Sequence, residues 1–216
     1  MKLGAVSQNF IIFATMNNIQ TPETWAENVI LADGDYIDRV AFDLIVNFER
    51  MLERRIPQAD LARWIDCVAL DGGLQPAEGQ ETNSIQVVLL HNKQKAKLEN
   101  FTPAHYTDEL DGKAFSDQLG EFCISCVPVE ELTTMADLFC ESLQYIMLQP
   151  AVKRIMVVGD EQYYNQVRSA LNSQHAATTT VFTMQPQQGG RFQQEILGYS
   201  LMAALGIKGE ELSNKQ

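Results

Sequence analysis

The chain has 216 residues and carries 16 Lys and Arg against 28 Asp and Glu, for a formal net charge of −12. Hydrophobic residues make up 45% and charged residues 20%, which excludes a disordered chain and suits one folded domain. The acidic balance disfavours RNA and anionic membrane as partners and leaves cations, neutral ligands and proteins open.

Four cysteines, Cys67, Cys123, Cys126 and Cys140, are too few for a disulfide scaffold and read as small buried hydrophobes. No apolar run reaches the ~18–20 residues that a membrane helix needs. The apolar stretch 10–16 is short for a signal core, and no small-residue cleavage site follows it. The chain therefore reads as cytoplasmic, with no membrane partner and with Met16 as an alternative start.

Residues 1–24 form an opening extension, with a strand expected over 5–15. Residues 28–33, NVILAD, are an apolar run suited to a buried strand. Ile37, Val40, Ala41, Leu44, Phe48, Met51 and Leu52 recur at helical spacing and predict a helix over 37–55, which Pro57 ends. Residues 60–64 read as a helical turn and 65–70 as a second strand closed by Gly72-Gly73. A third strand is expected over 85–91 and a fourth over 121–127, with a short helix near 112–119 between them. A helix follows over 130–148, then a strand over 154–158 and a helix over 162–171. The β-branched run 178–184 predicts a sixth strand, and a last helix is expected over 192–205. The polar tail 208–216 is expected to fray.

Strands alternating with amphipathic helices imply βαβ units. The expected fold is one three-layer α/β domain over 25–207. Its mostly parallel central sheet of about five to six strands carries helices on both faces, in a PIN/NYN- or Rossmann-like arrangement.

Ligands of such sheets bind beyond the carboxyl ends of the strands. The residues expected there are Asp33, Gly34, Asp35 and Asp38; Asp71, Gly72 and Gly73; His91 and Asn92; and Gly159, Asp160 and Glu161. Carboxylates from several strand ends can converge on one hard cation. Asp137 lies opposite the apolar stripe of its helix and is expected to face the same cleft. The candidate metal ligands are thus Asp33, Asp35, Asp137, Asp160 and Glu161, for Mg²⁺ or Mn²⁺.

The order Asp33-Gly34-Asp35, then Asp137 on a helix, then Val157-Val158-Gly159-Asp160, resembles the NYN branch of the PIN-like nucleases. That resemblance spans residues 28–172. It implies that Asp33, Asp137 and Asp160 are catalytic, binding a divalent metal for RNA cleavage. Three positions depart from the family pattern. Tyr36 stands in place of Asn, Val158 in place of Ser, and Gln162 in place of a second Asp. The departures fit a divergent or inactive site. Phosphate contacts for RNA would fall to Lys93, Lys95 and Lys97, or to Arg50, Arg54 and Arg55, which read equally as solvated surface.

No G-x-G-x-x-G or Walker loop is present, so no nucleotide cofactor is indicated. Cys123-x-x-Cys126 has no second pair, and residues three apart on a strand face opposite ways. Two further readings stand beside the ribonuclease. One is a non-catalytic binding or assembly protein on the same scaffold, with the last helix as a surface for self-association. The other is a small-molecule or nucleotide-binding α/β enzyme using Gly72-Gly73 and Gly189-Gly190.

Overall fold

A computed structural model describes residues 25–77, 82–173 and 175–213. The strand expected over 5–15 lies outside these residues.

The first strand, β1 (Asn28–Asp33), is buried along its whole length, as a central parallel strand must be. Asp33 closes it and opens α1 (Gly34–Leu52), because its side chain accepts the backbone N–H of Tyr36 at the helix start. The helix ends at Glu53, whose φ of 54° is left-handed. A two-residue strand, β2 (Ala59–Asp60), leads into α2 (Leu61–Asp71), capped by the Asp60 side chain.

The strand expected over 65–70 is therefore helix. Leu61, Trp64, Ile65, Val68 and Ala69 are all buried at i, i+3, i+4, i+7 and i+8. A short apolar run is compatible with either periodicity, and here the helical one wins by burying Trp64.

The long strand β3 (Asn83–Asn92) comes next, then β4 (Phe101–Thr102), which pairs with β2. Where a helix was expected near 112–119, the chain forms a π-helical turn (Tyr106–Leu110) and a short strand, β5 (Ala114–Ser116). β5 folds back antiparallel onto β6 (Gly120–Val129). Helix α3 (Met135–Met147) starts at the Thr134 cap, later than residue 130. β7 (Arg154–Val158) lies where expected, followed by a 3₁₀ turn (Glu161–Tyr163) and α4 (Tyr164–Leu171).

β8 (Thr178–Thr183) is followed by β9 (Gln193–Ile196), a strand in place of the first part of the helix expected over 192–205. The helix itself, α5, is shorter (Leu197–Ala204). The expected tail contains one more helical segment, α6 (Gly209–Ser213). Glu211 there receives three hydrogen bonds from the Arg54 guanidinium, at 2.8–3.1 Å.

The sheet runs β5-β6-β3-β1-β7-β8-β9, and every neighbouring pair except β5–β6 is parallel. Numbered along the chain, its six parallel strands lie in the order 3-2-1-4-5-6, a doubly wound arrangement. Ile30 and Ala32 of β1 pack with residues of α1, α2 and α5 on one face. Val29 and Leu31 pack with α3 and α4 on the other. This is the three-layer α/β domain expected, with seven strands rather than five or six.

Candidate functional site at the strand switch point

The chain leaves β1 towards β3 on one side and returns to β7 on the other, so the sheet changes direction between β1 and β7. The carboxyl ends of these two strands are where such folds place ligands. Asp33 and Asp160 stand there, as the sequence suggests.

Asp33 is 3% exposed, and both of its oxygens are engaged. Oδ1 accepts the Tyr36 backbone N–H at 3.0 Å, and Oδ2 accepts the Tyr163 hydroxyl at 2.7 Å. Burial raises its carboxyl above the ordinary value; the donors Tyr163 and Tyr36 oppose the rise, and the charges of Asp35 and Asp160 add to it. Tyr163 is held by packing as well: its ring lies 5.3 Å from that of Phe139. The intervening Gly159 has no room for a side chain, since a Cβ there would meet both rings at 3.0–3.1 Å.

Asp160 caps the 3₁₀ turn through Oδ1, which accepts the Gln162 backbone N–H at 2.9 Å. Its Oδ2 accepts from Arg39 Nη2 at 2.8 Å. Arg39 also lies over the Tyr36 ring, 5.4 Å from the centroid. Asp35 accepts the Asn92 backbone N–H through Oδ2 at 3.2 Å, and its Oδ1 lies 3.2 Å from Lys95 Nζ. Glu161 accepts the Met184 backbone N–H at 2.9 Å and ties the turn to the end of β8. Asp38 is buried and accepts the Asn100 backbone N–H at 2.8 Å. His91, also buried, stacks on Tyr106 with centroids 3.8 Å apart, and burial lowers its pKa.

Asp137 lies apart from this group. It is exposed in the first turn of α3, hydrogen-bonded to the Thr134 hydroxyl at 2.6 Å. There it lines a groove with Cys140, Gln144, Gln166 and Ser169, between α3 and α4. The cause is helical phase: Phe139, two positions on, points into the core against Tyr163. Among the described residues, no group of three or more His, Cys, Asp and Glu is arranged to hold a metal ion.

Five of the six candidate phosphate-contacting residues are engaged, and the sixth, Arg50, is exposed in the last turn of α1. Lys93 pairs with Glu130 at 2.8 Å, Lys95 with Asp35, and Lys97 with Glu99 at 2.9 Å. Arg54 pairs with Glu211 and Arg55 with Glu49. The glycine pairs do not form phosphate cradles at helix starts. Gly72 follows the end of α2 and its carbonyl accepts from Arg154 at 2.7 Å, while Gly189-Gly190 precede a strand.

The four cysteines are free, and only Cys126 is buried, its thiol pushed up to about 12 mainly by desolvation. Cys123 is exposed, so the two cysteines of the C-x-x-C spacing face opposite ways.

Arg39 and Tyr36 carry much of this geometry, and the sequence does not single them out for it. Arg39 is a lone cation among Asp33, Asp35 and Asp38, which is a signal of a kind, but its partner lies 121 residues away.

No curated protein and no solved structure matches the chain. The DUF6621 family profile, described as a family of unknown function, matches residues 22–212. The chain belongs to the DUF6621 family.

Proposed function

We propose that this chain is a non-catalytic binding or assembly protein, in which the acids at the switch point serve as cross-links within the fold. The observation that carries this reading is the engagement of the Asp33 and Asp160 carboxylates by protein donors. Tyr36 and Tyr163 hold Asp33, and Gln162 and Arg39 hold Asp160. A hard cation needs carboxylate oxygens free to replace its water ligands, and Arg39 takes the place a cation would compete for. The engaged lysines and the net charge of −12 weigh in the same direction against RNA. An assembly role draws support from α1, where Phe42 and Val46 lie one turn apart and are 53% and 38% exposed.

One observation favours a second reading, a divergent Mg²⁺- or Mn²⁺-dependent ribonuclease. The charges of Asp35 and Asp160 both bear on Asp33, a repulsion that a divalent ion would relieve. In that reading Asp33, Asp35, Asp160 and Glu161 would hold the ion.

A metal titration separates the two. An ion that binds only the folded state raises the melting temperature by mass action. The first reading expects no rise with millimolar Mg²⁺ or Mn²⁺. A rise at micromolar Mn²⁺ that disappears in Asp33→Asn, together with Mn²⁺-dependent cleavage of mixed RNAs, overturns it.

A further inference from the structure

Helix α1 turns one stripe away from the core along most of its length. At about 100° per residue, Phe42, Val46, Arg39, Arg50 and Asp43 fall within one arc of about 100°, and all five are exposed. Ile37, Val40, Ala41 and Phe48 lie on the other side and pack into the core. Phe42 and Val46 are the apolar members of the stripe, 53% and 38% exposed. They sit next to one another on a rigid element with charges beside them, which is how an interaction surface is built.

The charges decide what fits there. Arg39 is taken by Asp160. Asp43 and Arg50 make no ion pair and no side-chain hydrogen bond among the described residues. Asp43 stands three residues before Val46 and Arg50 four after it, on the same flank of the apolar pair. A two-fold axis perpendicular to the helix reverses this order and keeps that flank facing its own counterpart. With the axis at Val46 and a rise of about 1.5 Å per residue, Asp43 of one chain comes within about 1.5 Å of the level of Arg50 on the other. The pair occurs twice. Phe42 comes level with the same Arg50, whose aliphatic stem covers the ring, and Val46 meets Val46 at the axis. The stripe is thus complementary to itself in an antiparallel arrangement, as an isologous contact requires. A wholly acidic or wholly basic partner would match only one of the two charges.

We propose that α1 is a dimerisation helix, which packs antiparallel on α1 of a second copy of this chain about Val46 and is held in register by two Asp43–Arg50 ion pairs. The proposal rests on the assembly reading above and names its partner. One helix packed on one helix makes a small, reversible interface, with a dissociation constant on the order of 100 µM.

The test is sedimentation equilibrium of the full chain from about 10 µM to about 1 mM. The expected result is a reversible monomer–dimer equilibrium. Val46→Glu, which sets two carboxylates against each other at the axis, weakens it about tenfold or more and leaves the melting temperature of the dilute protein unchanged, since the position is on the surface. Asp43→Arg and Arg50→Asp each weaken it about fivefold, and the double variant returns to within about threefold of the parent. If Val46→Glu does not fold, the three charge variants decide the matter. A chain that is monomeric at every concentration overturns the proposal and leaves the stripe to a different protein. So does a dimer unchanged by folded Val46→Glu, or a double variant as weak as the single ones. A monomer that ignores Mn²⁺ overturns the dimer alone, whereas a dimer with Mn²⁺-dependent RNA cleavage overturns the non-catalytic reading alone.

Discussion

Tyr163→Phe isolates one hydroxyl in a buried setting. The ring and its contact with Phe139 stay, and only the donor to Asp33 Oδ2 at 2.7 Å is removed. Asp33 then keeps one donor, the Tyr36 backbone N–H, on a carboxylate that is 3% exposed. A hydrogen bond to a charged group is worth about 1.5–3 kcal/mol, and that is the loss expected at pH 7. For a chain of this length it lowers the melting temperature by roughly 3–12 °C. The pH dependence follows from the direction of the shift. Burial raises the Asp33 carboxyl above its ordinary 3.8 in the folded state, and Tyr163 opposes the rise. A carboxyl raised on folding contributes stability that is full below its unfolded value and is lost as pH rises through its folded value. Removing Tyr163 lifts the folded value further, so the penalty is small at pH 4 and grows towards neutrality. Urea unfolding at pH 4, 5, 6 and 7 measures this directly, with Asp33→Asn as the background in which the pH dependence of the Tyr163→Phe loss vanishes. An equal loss at pH 4 and pH 7, or a loss under about 0.5 kcal/mol at pH 7, would refute the reasoning.

Two other predictions concern the opposite side of the molecule. Asp66 on α2 shares a hydrogen bond with Asp117, next to β5, and its carboxyl is pushed up to about 6 by burial first and then by Asp117. Folding stability should therefore fall as pH rises from about 4 to about 6, and thermal melts of Asp117→Asn should lose that slope; a slope unchanged in the variant would rule out the shared proton. Gly120 has a φ of 153°, and a Cβ there would lie 2.3 Å from the Asn83 carbonyl oxygen on the paired strand. Gly120→Ala should cost roughly 2–3 kcal/mol, and a denaturation midpoint equal to the parent's would show that β3 and β6 can part there without cost.

The parallel core strands were legible because a strand buried on both faces must be apolar throughout, and 28–33 and 154–158 match what the structure shows. Segment 65–70 misled because a run of five apolar residues broken only by Asp66 is too short to fix a period; the deciding signals were the Asp60 cap and Trp64. β9 was hidden because Gln193–Ile196 is a half-exposed edge strand running directly into α5. At the switch point, Asp33 and Asp160 were readable from their places after strands. Asp137 was misplaced because helical phase rather than composition decides which face a residue takes. The pairing of Arg39 with Asp160 is a contact across 121 residues, and local sequence holds no trace of it.

The outer side of β6 has a consequence of its own. β6 is ten residues long, whereas β5 pairs with it over only Glu121, Phe122 and Cys123. Past that point the loop finishes the work: Gly112 and Lys113 bond to Ile124, and the Asp111 carboxylate accepts the Cys126 N–H at 2.9 Å. An extended chain from another molecule would have to strip that carboxylate away before it could template onto the strand, at the cost of a charge-assisted bond. A single acidic side chain thus blocks strand addition along this stretch of β6.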